Sequence, residues 1–543
     1  MHSFQILNRR DFLDRSLKLG LGVAVATLVD IPLVIKRALA EGQIGTNGKK
    51  LLFIFLRGAN DAINSVIPIQ DSAYNTDINP ITGTVIRPNL ALQKDAMDYS
   101  ALGPCDYPTL SDPGAPTYEY TSAIRLGNGF AALHPSLKFL AEVYNAGDLA
   151  LLHRVGYPKQ SRSHFDSQNY WENGSPNNNL IKDGIFYRAM IESGLTSTQP
   201  LTGVSIQSAL PLLLRGSAAA MTNLTDPTRY NLLGIPNTAA GNLKADHALL
   251  EAGNFPAAPK LNRELLDLQY GNLMETLAVF ADINFSESGN TFVDDAATDG
   301  DAPYYLFPTQ KQKNGGAYLN GRTDLTSKYV VDSSAYSFFT NLKAAALVLN
   351  KTDAIVAGTE FTGFDTHQTQ GGATGKHANL LRRIGWAIYA LRKYFLNYPD
   401  KCTWNDLVVV TLSEFGRTTK QNTSAGTDHA EAGVMFVAGG AVKGRNKGNA
   451  SGVFNCGPND PIPWVTGLSG SMFSISNNYL RRTTDYRSVL GRILRQHLGA
   501  TQTQLDRIIP GYANPDEMLL NGGVTPVTKV TDGTRITGEL DFI

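Results

Sequence analysis

Cysteine is scarce: the chain has 543 residues and only Cys105, Cys402 and Cys456. None lies in a Cys-x-x-Cys pair, which excludes a thiolate zinc site and c-type haem attachment. A disulfide framework is excluded too, and one bridge at most is expected, Cys402–Cys456. Net charge is also missing, with 48 basic residues against 48 acidic. There is no basic stripe, so nucleic acid is not an expected partner. No Gly-x-Gly-x-x-Gly fingerprint for a dinucleotide is present. Beyond residue 40 no apolar run reaches the roughly 20 residues that cross a bilayer as a helix.

What the chain does have begins at its start. Asn8-Arg9-Arg10-Asp11-Phe12-Leu13 pairs two arginines with a polar residue and two apolar ones. A short Gly- and Ala-rich apolar stretch, Leu19–Val29, follows, and Ala38-Leu39-Ala40 offers a small-x-small cleavage site. Residues 1–40 therefore read as a twin-arginine (Tat) signal peptide. The expectation is export through the Tat translocase to the periplasm or beyond. Without that segment, which holds six basic and three acidic residues, 42 basic residues face 45 acidic ones.

Leu51–Leu56 and Leu407–Leu412 are continuous apolar runs, as in strands buried on both faces of a parallel sheet. Leu149–Leu152, Ala354–Ala357 and Val434–Ala438 read as further strands. Helical patterns span 136–146, 334–350, 378–398 and 486–498. Strands alternating with helices predict an α/β fold with a mostly parallel central sheet. Residues 41–543 form that domain, and about 175–340 reads as an insertion or cap.

Polar clusters follow these strands: Asn60-Asp61, Ser161-Arg162-Ser163-His164, Asp365-Thr366-His367, and Glu414 through Arg417 with Asp428-His429. Carboxyl ends of strands in an open α/β sheet converge on one crevice. Carboxylates and imidazoles gathered there suit a divalent cation. Glu414 stands out, because an acid after a buried strand must be paired, solvated or metal-bound. Ser161 and Ser163 also suit helix N-caps.

The segments Phe55–Asn64, Leu133-His134-Pro135, Val155–Pro158 running into Ser161–Phe165, Gly363–His367, Ser413–Arg417 and Thr427–His429 with Gly439-Gly440 resemble the domain of unknown function 1501 family. That family is in turn similar to the alkaline phosphatase and sulfatase superfamily. The resemblance implies an alkaline-phosphatase-like sheet and an exported hydrolase of phosphate or sulfate esters. It implies zinc, manganese or calcium on Asp61, Asp365, His367, Glu414 and His429. It implies Ser163 or Ser161 as nucleophile, Arg162 or Arg57 on the anionic group, and a small anionic ester or carbohydrate-derived substrate. The sequence departs from the superfamily at Arg57, at the close Asp365-x-His367 spacing and at Phe415, which would leave one metal or none. Cys105 is followed by Asp106-Tyr107-Pro108-Thr109, so the formylglycine signature of sulfatases is absent. The alternative is a non-catalytic exported binding or assembly protein on the same scaffold.

Overall fold

Alternate residues of the first apolar run face opposite ways, and both ways are core. Leu52, Ile54 and Leu56 enter one hydrophobic cluster, and Leu51, Phe53 and Phe55 enter a second. A strand with no polar face has to lie inside a layered structure. In the computed structural model it is β1 (Lys50–Leu56), inside a nine-stranded sheet. The structure describes residues 44–75, 85–94, 122–197, 199, 201–217, 219, 221–226, 276, 279–280, 283–286, 291–299, 302–319, 330–523, 525–527 and 533–543. Residues 1–40, Cys105 and most of residues 261–280 lie outside the described residues.

The remaining strands of the sheet are β2 (Leu149–Gly156), β3 (Gly203–Ile206), β4 (Thr222–Leu224) and β5 (Val356–Phe361). They continue with β6 (Leu407–Leu412), β7 (Gly433–Ala438), β8 (Val453–Phe454) and β9 (Thr484–Asp485). The order across the sheet is β8-β2-β7-β6-β1-β5-β3-β4, with β9 also on β2. β7 is antiparallel to both of its neighbours, and every other pairing is parallel. All strands but β7 therefore run the same way, and their carboxyl ends share one edge.

Helices α3 (Tyr336–Lys351) and α4 (Lys376–Asn397) bury their apolar residues in the first cluster. Helices α1 (His164–Asn173), α2 (Ile185–Ser193), α5 (Tyr486–Arg492) and α6 (Gln502–Ile508) contribute to the second. The fold is thus α/β with a large, mostly parallel central sheet flanked by helices.

Several expectations shift in detail. The helix expected over 136–146 is a 3-10 turn, Pro135–Leu137, followed by a helix over Leu140–Asn145. The strand expected at 354–357 lies at Val356–Phe361, and it includes the polar pair Thr359-Glu360. Helix α2 and strands β3 and β4 come from the segment read as an insertion, and the two strands extend the central sheet. Cys402 and Cys456 are free buried thiols, so the expected bridge between them is not made. No helix among the described residues is long and apolar enough to cross a membrane.

Candidate metal centre

The carboxyl edge of the sheet gathers four loops. The loop after β2 leads into α1, whose N-cap is Ser163: its hydroxyl accepts from Asp166 N–H at 3.4 Å. The helix ends at Gly174 in the left-handed conformation. This places His164 on the first helical residue, with its ring at the sheet edge. Asp365 and His367 follow β5, and Glu414 follows β6. Asp428 and His429 lie in the loop that returns to β7.

These loops approach closely. Gly58 has φ 107°, and a Cβ there would meet Asp365 N at 2.4 Å. A Cβ on Gly426 would meet the His367 carbonyl at 2.3 Å. Arg417, fully buried, binds the loops together. Its Nε donates to Ala59 O at 3.0 Å and its Nη1 to Thr427 O at 3.0 Å. Its Nη2 reaches Gly58 O, Phe364 O and Asp365 Oδ1.

Three imidazoles turn the same nitrogen inward. His164 Nδ1 faces Glu414 Oε1 at 2.9 Å, His367 Nδ1 faces Asp428 Oδ1 at 2.8 Å, and His429 Nδ1 faces Arg162 O at 2.8 Å. Each of these partners only accepts, so each Nδ1 carries the proton and each Nε2 of a neutral ring presents a lone pair. The Nε2 atoms meet at Asp365. His367 Nε2 lies 3.1 Å and His429 Nε2 3.3 Å from Asp365 Oδ1. His164 Nε2 lies 3.6 Å from Oδ2. His367 Nε2 and His429 Nε2 are 2.8 Å apart.

His164, Asp365 and His429 offer ligand atoms all within 4.8 Å of one another, with His367 beside them. Nε2 of His164 is buried and makes no hydrogen bond among the described residues. An inward lone pair, with the outer N–H held by a carboxylate or carbonyl, is the arrangement that metal-ligating histidines adopt. The donor set of imidazole and carboxylate suits zinc or manganese.

Burial and hydrogen bonds pull these groups in opposite directions. The hydrogen bond to Glu414 raises the His164 pKa above the usual imidazole value. Burial pushes the Glu414 carboxyl up, but its bonds to His164, Gly58 N–H and Gln168 outweigh this and hold it below the usual value. Burial likewise opposes ionisation of Asp365, and Arg417 overrides it. Burial lowers the pKa of His429, keeping its ring neutral.

The other expected site residues are placed as follows. Asp61 is fully buried and bonds Arg87 Nη1 at 2.7 Å and Gln370 Nε2 at 2.7 Å, away from the histidines. Arg57 lies between Glu172, 2.8 Å away, and Glu360, 3.1 Å away. Ser161 Oγ accepts from Ser163 N–H at 3.2 Å. Arg162 is exposed, 3.3 Å from Glu431 and stacked 4.3 Å over Tyr479. Glu414 orients His164 and is not among the grouped ligand atoms. His164 and Asp428 were visible in the motifs without an assigned role. The signal for His164 is an imidazole directly after a helix-capping serine at a strand's carboxyl end.

The fold and this edge define an α/β protein with a cluster of histidines around an aspartate at the carboxyl edge of its sheet. Residues 260–453 match the family described as "Protein of unknown function (DUF1501)", which supports the family read from the motifs. The match begins inside the segment, about 175–340, that reads as an insertion or cap. Comparison with curated proteins and with solved structures finds no match.

Proposed function

We propose that this chain is an exported, divalent-metal-dependent hydrolase of phosphate or sulfate esters. The observation that carries it is the convergence of three Nε2 atoms on Asp365, each ring held from behind by an acceptor. His164, Asp365, His367 and His429 would hold the ion. Bound there, it supplies positive charge that polarises an ester oxygen and makes water more acidic. Glu414, Asp428 and the Arg162 carbonyl fix the tautomers, and Arg417 fixes Asp365. The exposed Arg162 guanidinium, on Tyr479 at the rim, offers a planar donor fork to an anionic group. The twin-arginine segment supports export, which fractionation of an Arg9→Lys/Arg10→Lys variant tests by its retention in the cytoplasm.

The experiment measures metal content by plasma mass spectrometry, with turnover of p-nitrophenyl phosphate, its bis ester and p-nitrophenyl sulfate. The expected result is bound zinc or manganese and hydrolysis of at least one ester, both lost in Asp365→Ala/His367→Ala. A metal-free wild type that stays metal-free after reconstitution would overturn the reading. Ser163→Ala separates the two candidate nucleophiles: turnover is lost if the serine attacks and kept if water does.

The second reading is a non-catalytic binding or assembly protein. Ser163 favours it, because among the described residues Asp166 N–H is the sole hydrogen-bond partner of its hydroxyl and no base is bonded to it. Metal binding without turnover of any of the three esters would place the chain there.

A further inference from the structure

A cavity of about 590 Å³ opens at the same edge of the sheet, between the ends of β3 and β5 and the starts of α3 and α4. Its volume falls in the roughly 300–1,000 Å³ range of small-molecule sites. The histidine centre does not line it, although Gly363, on its wall, is two residues from Asp365.

Two buried side chains on its wall each carry a polar atom without a hydrogen bond among the described residues. Gln207 is 5% exposed, and its Oε1 is buried without a hydrogen bond among the described residues. Arg383 is 7% exposed. Its Nη2 donates to Ser334 Oγ at 3.0 Å, and its Nε is buried without a partner. Buried polar atoms left unpaired are costly, so an unmatched acceptor on Gln207 and an unmatched donor on Arg383, on one cavity wall, point to an occupant.

The charges here offset each other. Arg383 lies 3.8 Å from Asp332, and Glu360 lies 3.1 Å from Arg57. The two carboxylates on the wall, Asp332 and Glu360, disfavour an anion, and the Arg383 guanidinium and the Lys376 ammonium disfavour a cation. A polyol fits such a wall, since each hydroxyl both gives and accepts a hydrogen bond without carrying charge. Phe338 supplies an apolar wall for the C–H face of a sugar ring.

We infer that this cavity binds a neutral sugar, one or two rings in size, through Gln207 and Arg383. The inference goes beyond the hydrolase reading and does not rest on the metal.

Saturation-transfer NMR on the full chain tests it with glucose, galactose, N-acetylglucosamine, cellobiose and maltose as probes. At least one probe is expected to receive transfer, and comparing single with double rings tells a free monosaccharide from a chain end. Ser337 is exposed on the cavity wall, so Ser337→Trp fills the space without disturbing the core and should abolish the transfer. Gln207→Leu should weaken binding roughly tenfold, the size of a lost hydrogen bond. Transfer persists after chelation, so failure of the metal reading leaves this one standing. Absence of transfer to every probe, its persistence in both variants, or displacement of the sugar by inorganic phosphate would each overturn the inference.

Discussion

Nε2 of His367 and Nε2 of His429 face each other at 2.8 Å, while the other nitrogen of each ring is held by an oxygen acceptor. Two lone pairs at that distance repel unless a proton or a cation lies between them. Stripping metal with a chelator and adding zinc back should therefore raise the thermal midpoint. Mass action gives about 2.7 kcal/mol at a hundredfold excess over Kd. His367→Ala/His429→Ala should remove the shift. Equal midpoints with and without zinc in the wild type would contradict this.

Glu414 acts behind His164. Its Oε1 accepts from His164 Nδ1, from Gly58 N–H at 2.8 Å and from Gln168 at 3.2 Å. Glu414→Gln removes the charge that orients and enriches the ring. Metal affinity should fall by roughly 10–100-fold, the usual effect of losing such a partner. Competition against a chelating dye reads this directly, and an unchanged Kd would detach Glu414 from the centre.

Asp61 belongs to a different kind of structure. Both it and Arg87 are fully buried, with Arg87 Nη1 2.7 Å away. Asp61→Asn leaves a guanidinium charge uncompensated, and breaking such a pair costs about 3–5 kcal/mol. Urea unfolding should show that loss, with metal stoichiometry unchanged in the folded fraction. A variant of normal stability that has lost its metal would instead make Asp61 a ligand.

Acid should destabilise the fold well before carboxylates titrate. Burial depresses His134 and His153 to about 3, and His377 and His497 to about 4. Their unfolded value is near 6.5. Between these values the unfolded chain binds more protons than the folded one. The stability present above about pH 6.5 is thus lost as pH falls toward 4, by up to about 1.4 kcal/mol per pH unit for each ring. His164, whose pKa is raised, acts in the opposite sense above its unfolded value. Urea midpoints should fall steadily from about pH 7 to pH 4, and a flat profile would contradict this account.

How much of this was legible depended on burial. β1 and β6 were readable because both faces are core, which leaves an unbroken apolar run. β3, with the sequence Gly-Val-Ser-Ile, is too short for a periodic signal, and it was absorbed into an apparent insertion. The antiparallel direction of β7 could not be read, because residue composition does not encode direction. At the site, Asp365, His367 and His429 were expected and are brought together. Glu414 was expected in the ligand shell and stands behind it, because spacing shows which residues reach an edge and not which atom points inward. Asp61 follows β1 as expected, yet it caps the short helix Ala62–Ser65, and its carboxylate lies in the core against Arg87.

The guanidinium of Arg417 ties together segments that begin at Gly58 and end at Thr427. The cluster beside it draws on residues from His164 to His429. During synthesis, therefore, no early portion of the chain holds the whole cluster. On the proposed reading, ion binding is acquired late and all at once, when the loop before β7 leaves the ribosome and closes over the sheet edge. The free metal present where that closure occurs would then decide which ion is captured.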